Sequence, residues 1–304
     1  MNSTPTAPAA PLTPGLSAAK DTPSRTPLRT STHTGTPANI DAASAGPTAP
    51  PLFEAIDVSR RFGGVIALDA VSITIRSGEI YGLIGPNGAG KTTLFDVLTG
   101  VQRADHGSCR LAGRELPRGR PDHVLAAGIA RTFQNIRLFG ELDARENVLI
   151  GLHRQTHASM LAQLLRTRAV TRRESAARAR AQTLLDYVGL AHLADRVANS
   201  LSYGDRRRLE IARALASGPC LLALDEPAAG MNATETRALA ELIRRIRDDG
   251  TTVLLIEHDM RLVMSLCDRI AVLDSGRKIA EGNPDEVRAN EAVIEAYLGR
   301  RHAH

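Results

Sequence analysis

The chain has 304 residues, 43% hydrophobic and 23% charged, which suits one or two globular domains and excludes a wholly disordered chain, a collagen-like repeat and a multispan membrane protein. Basic residues exceed acidic ones by 38 to 33, a net charge of +5, but with four Tyr, five Phe and no Trp there is little to stack bases on, so no nucleic-acid partner is expected. The three cysteines, Cys109, Cys220 and Cys267, form no CxxC pair; a disulfide framework or zinc site is not expected, and a reducing cytosol is the simplest compartment.

Residues 1–50 hold nine of the sixteen prolines, ten threonines, ten alanines and no aromatic residue. Such a stretch cannot bury enough apolar surface to offset its ordering entropy, so it reads as a disordered tail. Arg25 and Arg29 in an acid-poor, Ser/Thr-rich context leave an organellar transit peptide as the alternative. From Leu52 the texture changes to short β-rich runs: Leu52 to Val58, Val71 to Ile75, and Ile80 to Ile84 leading into glycines, with a further strand near Ser108 to Leu111. The stretch from Glu141 to Asn199 reads as helical and Arg-rich. A helix from Tyr203 to Ser217, a strand Leu221 to Leu224, a helix Glu235 to Asp248, a strand Thr252 to Ile256 and two short helices over Pro284 to Leu298 follow. Alternation of this kind predicts a mainly parallel α/β sheet with covered faces. No apolar run approaches the roughly 18 residues of a membrane span. The cluster Arg166, Arg168, Arg172, Arg173, Arg178 and Arg180 reads first as a solvated helix surface and second as a site for an anionic partner.

The strongest local signal is Gly85, Pro86, Asn87, Gly88, Ala89, Gly90, Lys91, Thr92 and Thr93, a G-x-x-x-x-G-K-[ST] loop directly after an apolar strand. Its glycines let successive N–H groups face phosphates, and the following helix adds its positive end. Lys91 is placed to reach the β- and γ-phosphates of a nucleoside triphosphate, and Thr92 to ligate Mg²⁺; kinases, GTPases, helicases and transport ATPases all remain open on this loop alone. Asp225 and Glu226 emerge from the end of a buried strand at the same sheet edge. Asp225 suits the Mg²⁺ site and Glu226 the base that polarises an attacking water; a helix N-terminal charge pair is the plain alternative.

Between these elements, Leu201 to Asp205 (LSYGD), followed by RRRLEIARAL, resembles the signature motif of ATP-binding cassette (ABC) proteins. The resemblance implies that Ser202 and Gly204 close on the ATP of an opposite subunit, although Asp205 stands where Gln is commonest and Tyr203 where Gly is. It implies a sensing glutamine at Gln134 that contacts Mg²⁺ or water, a switch histidine at His258 on the γ-phosphate, and an adenine-stacking ring at Phe62, for which a core position is the alternative. The fold implied is an α/β P-loop NTPase of ABC type: a RecA-like core, an antiparallel β subdomain and a helical signature subdomain at about 141–217. The cassette would span 51–299, with a short tail at 300–304. ARTFQNIRLF from Ala130, DEPAAGMN from Asp225, IEHDM from Ile256 and EAYLG from Glu295 resemble the ATP-binding subunits of branched-chain amino-acid importers, where Asn232 replaces a commoner Asp. The implied role is an ATPase peripheral to the cytoplasmic face of the cell membrane. Its partners would be a second cassette, like or unlike, and integral-membrane permease subunits, with an extracytoplasmic solute-binding protein acting indirectly. A urea or other small-solute importer, a soluble non-transport cassette and a non-hydrolysing module are the competing readings. Phe133, Ile136, Leu138 and Phe139 around Gln134 are expected to contact the membrane partner, or else to pack between subdomains.

Overall fold

The computed structural model describes residues 51–156 and 168–298; the tail 1–50, Arg166 and residues 300–304 lie outside them. Two sheets carry the architecture. Strands β1 (Phe53–Phe62), β2 (Val65–Ile75), β4 (His106–Leu111) and β5 (Arg114–Glu115) form an antiparallel sheet in the order β2-β1-β4-β5. Strands β3 (Ile80–Ile84), β6 (Ile129–Arg131), β7 (Leu221–Asp225), β8 (Thr252–Ile256), β9 (Arg269–Asp274) and β10 (Arg277–Gly282) form a sheet in the order β10-β9-β3-β8-β7-β6. It is parallel throughout except for β10, which turns back antiparallel on β9.

The parallel strands are buried on both faces, and alternate side chains enter two different cores. On one face Tyr81, Leu83, Leu221, Ala223, Leu254 and Ile256 meet the antiparallel sheet and helix α1 (Lys91–Leu98). On the other, Ile80, Ile84, Leu222, Leu224, Val253 and Leu255 pack with α5 (Tyr203–Ala216), α6 (Ala233–Asp248) and α7 (Met260–Leu266). The helix α6 starts on a capping box between Asn232 and Glu235 and buries Leu239, Leu242, Ile243 and Ile246 at helical spacing. The shorter α2 (Pro121–Ala127) leads into β6. Helices α3 (Ala144–Thr156) and α4 (Arg168–Tyr187) pack against one another and against α5, and α8 (Pro284–Ala289) and α9 (Glu291–Leu298) close the described chain.

This topology sets the site. β8 lies between β3 and β7, with Ile256 level with Leu83 on one side and with Asp225 on the other. The residues that follow β3, β8 and β7 therefore leave the sheet side by side.

Candidate active site

The loop after β3 is shaped by glycines that nothing larger could replace. A Cβ on Gly85 would sit 2.2 Å from the Leu273 carbonyl oxygen, and one on Gly90, at φ 98°, 2.5 Å from that of Ala67. The loop is braced from the β9–β10 hairpin, whose Gly276 N–H donates to the Ala89 carbonyl at 3.0 Å. Gly90 caps α1 without any side-chain hydrogen bond, so the first amides of the helix keep their capacity for an anion. Lys91 is buried, its ammonium donating to the carbonyls of Gly85 at 2.8 Å and Pro86 at 3.0 Å, while Thr92 is exposed at the mouth. Phe62 ends β1 with its ring 44% exposed and the Arg60 guanidinium over it at 4.7 Å; it is a surface ring and not a core one.

At the end of β7, Asp225 is buried, and desolvation pushes its carboxyl up to about 6 against the opposing pull of Arg131. Arg131 sits 3.6 Å from that carboxylate and donates to Asp96 at 2.7 Å and Thr99 at 2.8 Å, which ties β7 to α1. A positive charge brought close to Asp225 would favour its ionised form, as Arg131 already does in part. Among the described residues no cluster of three His, Cys, Asp or Glu could hold a metal alone. Thr92, Asp225 and Gln134 carry oxygen donors of the hard kind that Mg²⁺ takes, and could hold it only together with ligands from outside the chain.

Glu226 has φ 43°, a left-handed conformation costly for a side chain of its size, and its N–H donates to the Ile256 carbonyl at 2.9 Å. This geometry turns its carboxylate toward Gln134, whose amide donates to Oε2 at 3.0 Å, and toward His258, whose Nδ1 lies 3.7 Å away. Gln134, Glu226 and His258 thus meet, although they come from three separate segments. Sequence reading missed Glu257, buried just before the histidine. It accepts from the N–H of Ala228 at 2.9 Å and of His258 at 3.2 Å, and its Oε2 is 3.8 Å from the His258 Nδ1. Burial raises its pKa. Its signal was adjacency to His258 alone, which a single sequence does not separate from chance.

In the signature segment, the side-chain hydrogen bonds of Ser202 and Asp205 run within the first turns of α5. Ser202 caps α5, its Oγ accepting from the Asp205 N–H at 3.1 Å and donating to the Asp205 carboxylate at 2.7 Å. Asp205 in turn pairs with Arg208 at 2.5 Å, so its charge is compensated. Gly204 faces Glu235, whose Oε1 would be 3.0 Å from a Cβ there. Of the apolar residues near Gln134, Phe139 is 52% exposed. Leu138 packs on the core, and Phe133 lies between the guanidinium groups of Arg131 at 4.5 Å and Arg137 at 4.4 Å. The expected cluster is not uniformly exposed: Phe139 is, with the Arg213 guanidinium 6.0 Å from its ring, whereas Ile136 is half-buried and Leu138 and Phe133 pack within the chain. Arg213 also lines a cavity of about 320 Å³ with Val101, Leu125, Phe133 and Ile150.

A family model described as ABC transporter matches residues 68–229, which contain the P-loop, the signature and the Asp225–Glu226 pair. The chain belongs to the ABC transporter family. A second model, described as branched-chain amino acid ATP-binding cassette transporter, matches 277–303 of this cassette. The cassette is 48% identical over 251 residues to the high-affinity branched-chain amino acid transport ATP-binding protein LivG of Salmonella typhimurium, covering 82% of this chain and 98% of that one. It is 46% identical, with the same coverage, to the corresponding protein BraF of Pseudomonas aeruginosa. Among solved structures, an ATP-binding cassette of an ABC transporter in its ADP conformation aligns with TM-score 0.71 and 32% identity, over 83% of this chain and all of that one. The ABC fold expected from the sequence is the fold observed, a P-loop ATPase that binds adenine nucleotide.

Proposed function

We infer that this cassette is the ATP-hydrolysing subunit of an importer for branched-chain amino acids. The observation that carries the reading is the likeness to LivG and BraF over 98% of their length, and the C-terminal match at 277–303 supports it. The cassette is proposed to span 51–299 with its helical part at about 141–217. No helix among the described residues is long and apolar enough to cross a membrane; the cassette works from the cytoplasmic face of the membrane against permease subunits that a solute-binding protein loads.

In this reading Phe62 stacks on adenine, and the amides of residues 85–93 with Lys91 hold the β- and γ-phosphates. Thr92, Asp225 and Gln134 would hold Mg²⁺, which would supply charge neutralisation at the phosphate oxygens. Glu226 accepts a proton from the water that attacks the γ-phosphorus, and His258 donates to a γ-phosphate oxygen. Ser202 and Gly204 complete the site of a second cassette. The surface formed by Phe139 and the cavity that Ile150 and Arg213 line receives a permease segment. The test is uptake of labelled leucine, isoleucine, valine and urea by vesicles containing the cassette, its permease and ATP. Uptake of the three amino acids at the expense of ATP supports the assignment, and uptake of urea alone overturns it.

A further inference from the structure

Arg207 and Glu210 lie three residues apart on α5, with side chains 0% and 1% exposed and 2.8 Å between Nη1 and Oε2. Among the described residues their hydrogen-bond partners outside α5 belong to one short segment. Arg207 donates through Nη1 to the Phe133 carbonyl at 2.6 Å and through Nη2 to the Gln134 carbonyl at 2.8 Å. Glu210 Oε1 accepts from the N–H groups of Phe133 and Arg137, both at 3.3 Å. Within α5 Arg207 also donates through Nη2 to the Tyr203 hydroxyl at 3.3 Å, and the Arg213 guanidinium favours the ionised form of Glu210.

Stability is a weak reason for such an arrangement. Removing two charges from water costs about as much as their attraction returns, and an apolar pair of similar volume would hold the helix as well. What an apolar pair could not do is fix two consecutive carbonyls with one planar fork, as a guanidinium does. The backbone so fixed is that of Gln134, whose side chain touches Glu226. The other end of the connection is the first turn of α5, where Ser202 and Gly204 stand.

We propose that the buried Arg207–Glu210 pair is a positioning device that transmits displacement of Gln134, when its amide leaves Glu226 for nucleotide, to the Ser202–Gly204 end of α5. Resting on the reading above, in which that end serves the opposite ATP, the pair lets each cassette report its own occupancy to its neighbour's site. Arg207 and Glu210 act through Gln134 and touch no reacting atom.

The experiment is hydrogen exchange on Glu226→Gln protein with and without Mg-ATP, at a dilution where light scattering gives a monomer. Nucleotide should alter exchange both in the P-loop and at residues 203–206. In an added Arg207→Met/Glu210→Leu pair the P-loop response should persist and the response at 203–206 vanish. Arg207→Lys, whose single ammonium holds the two carbonyls less rigidly, should weaken that response, and in otherwise wild-type protein should lower turnover about tenfold or more at unchanged ATP affinity. If the apolar pair does not fold, Arg207→Lys decides. An unaltered response at 203–206 in the folded variants, or none in the parent, overturns the proposal. Failure of Glu226→Gln to form an ATP-trapped dimer at higher concentration would instead count against the opposite-site role of Ser202 and Gly204, and leaves the within-chain result readable.

Discussion

At the scale of single residues, Glu226 combines a left-handed backbone with contacts to Gln134 and His258. Glu226→Gln keeps the shape and removes the proton acceptor. ATP binding measured by calorimetry should persist while phosphate release slows by on the order of 10²–10⁴-fold; turnover near the wild-type rate would remove Glu226 from the role of base. Asp225 supplies a pH dependence. Its pKa in the free protein is raised to about 6, so its ionised form is disfavoured by folding. Its contribution to stability is greatest at low pH and is lost as pH rises through that value. A bound cation reverses the preference, so Mg-ATP should expel a proton near pH 6 and bind less tightly below it. Calorimetry at pH 6 in two buffers of different ionisation enthalpy should reveal that proton in wild-type protein and not in Asp225→Asn. The residues with motif context were legible: Lys91, Asp225 and Glu226 each follow an apolar strand that announces them. Arg131, Glu257, Arg207 and Glu210 were not assigned roles, because their meaning lies in contacts between segments at least 29 positions apart.

At the scale of elements, Phe139 is the exposed end of the segment that begins at Gln134, and its ring lies 6.0 Å from the guanidinium of Arg213, which lines the cavity with Ile150 of α3 and Leu125 of α2. Phe139→Asp should leave ATP affinity and basal hydrolysis of the isolated cassette within about twofold, since surface substitutions usually perturb folding little, and should abolish ATP-dependent uptake in vesicles containing permease. Undiminished uptake, or loss of basal hydrolysis without a permease, would defeat the coupling role. The strands β3, β7 and β8 are legible as short, nearly continuous apolar runs, and the helices α5 and α6 by helical spacing behind the caps Ser202 and Asn232. The strands β6, β9 and β10 were not. β6 has three residues, and β10 reads RKIAEG with no apolar alternation, so only their neighbours make them strands. That omission concealed the Gly276 brace beneath the phosphate loop.

For the whole molecule, the composition of residues 1–50 offers no apolar surface comparable to either core of the cassette. Protein lacking those residues should keep its ATP turnover within about twofold and its yield of folded protein, because such composition contributes no core; a marked drop in either measurement would assign the tail a structural role. The α/β class, its parallel sheet and its catalytic edge followed from strand–helix alternation, whereas strand order required the three-dimensional pairing of β3 with both β8 and β9. The same pairing leaves the main sheet with two margins of a particular kind. One is the three-residue β6 ending in Arg131, and the other is β10, reversed in direction and carrying Arg277, Lys278 and Glu281. Short or charged borders recruit foreign strands poorly. Edge-to-edge fusion of the main sheet with that of a second copy into one continuous sheet is thereby disfavoured at both of its margins.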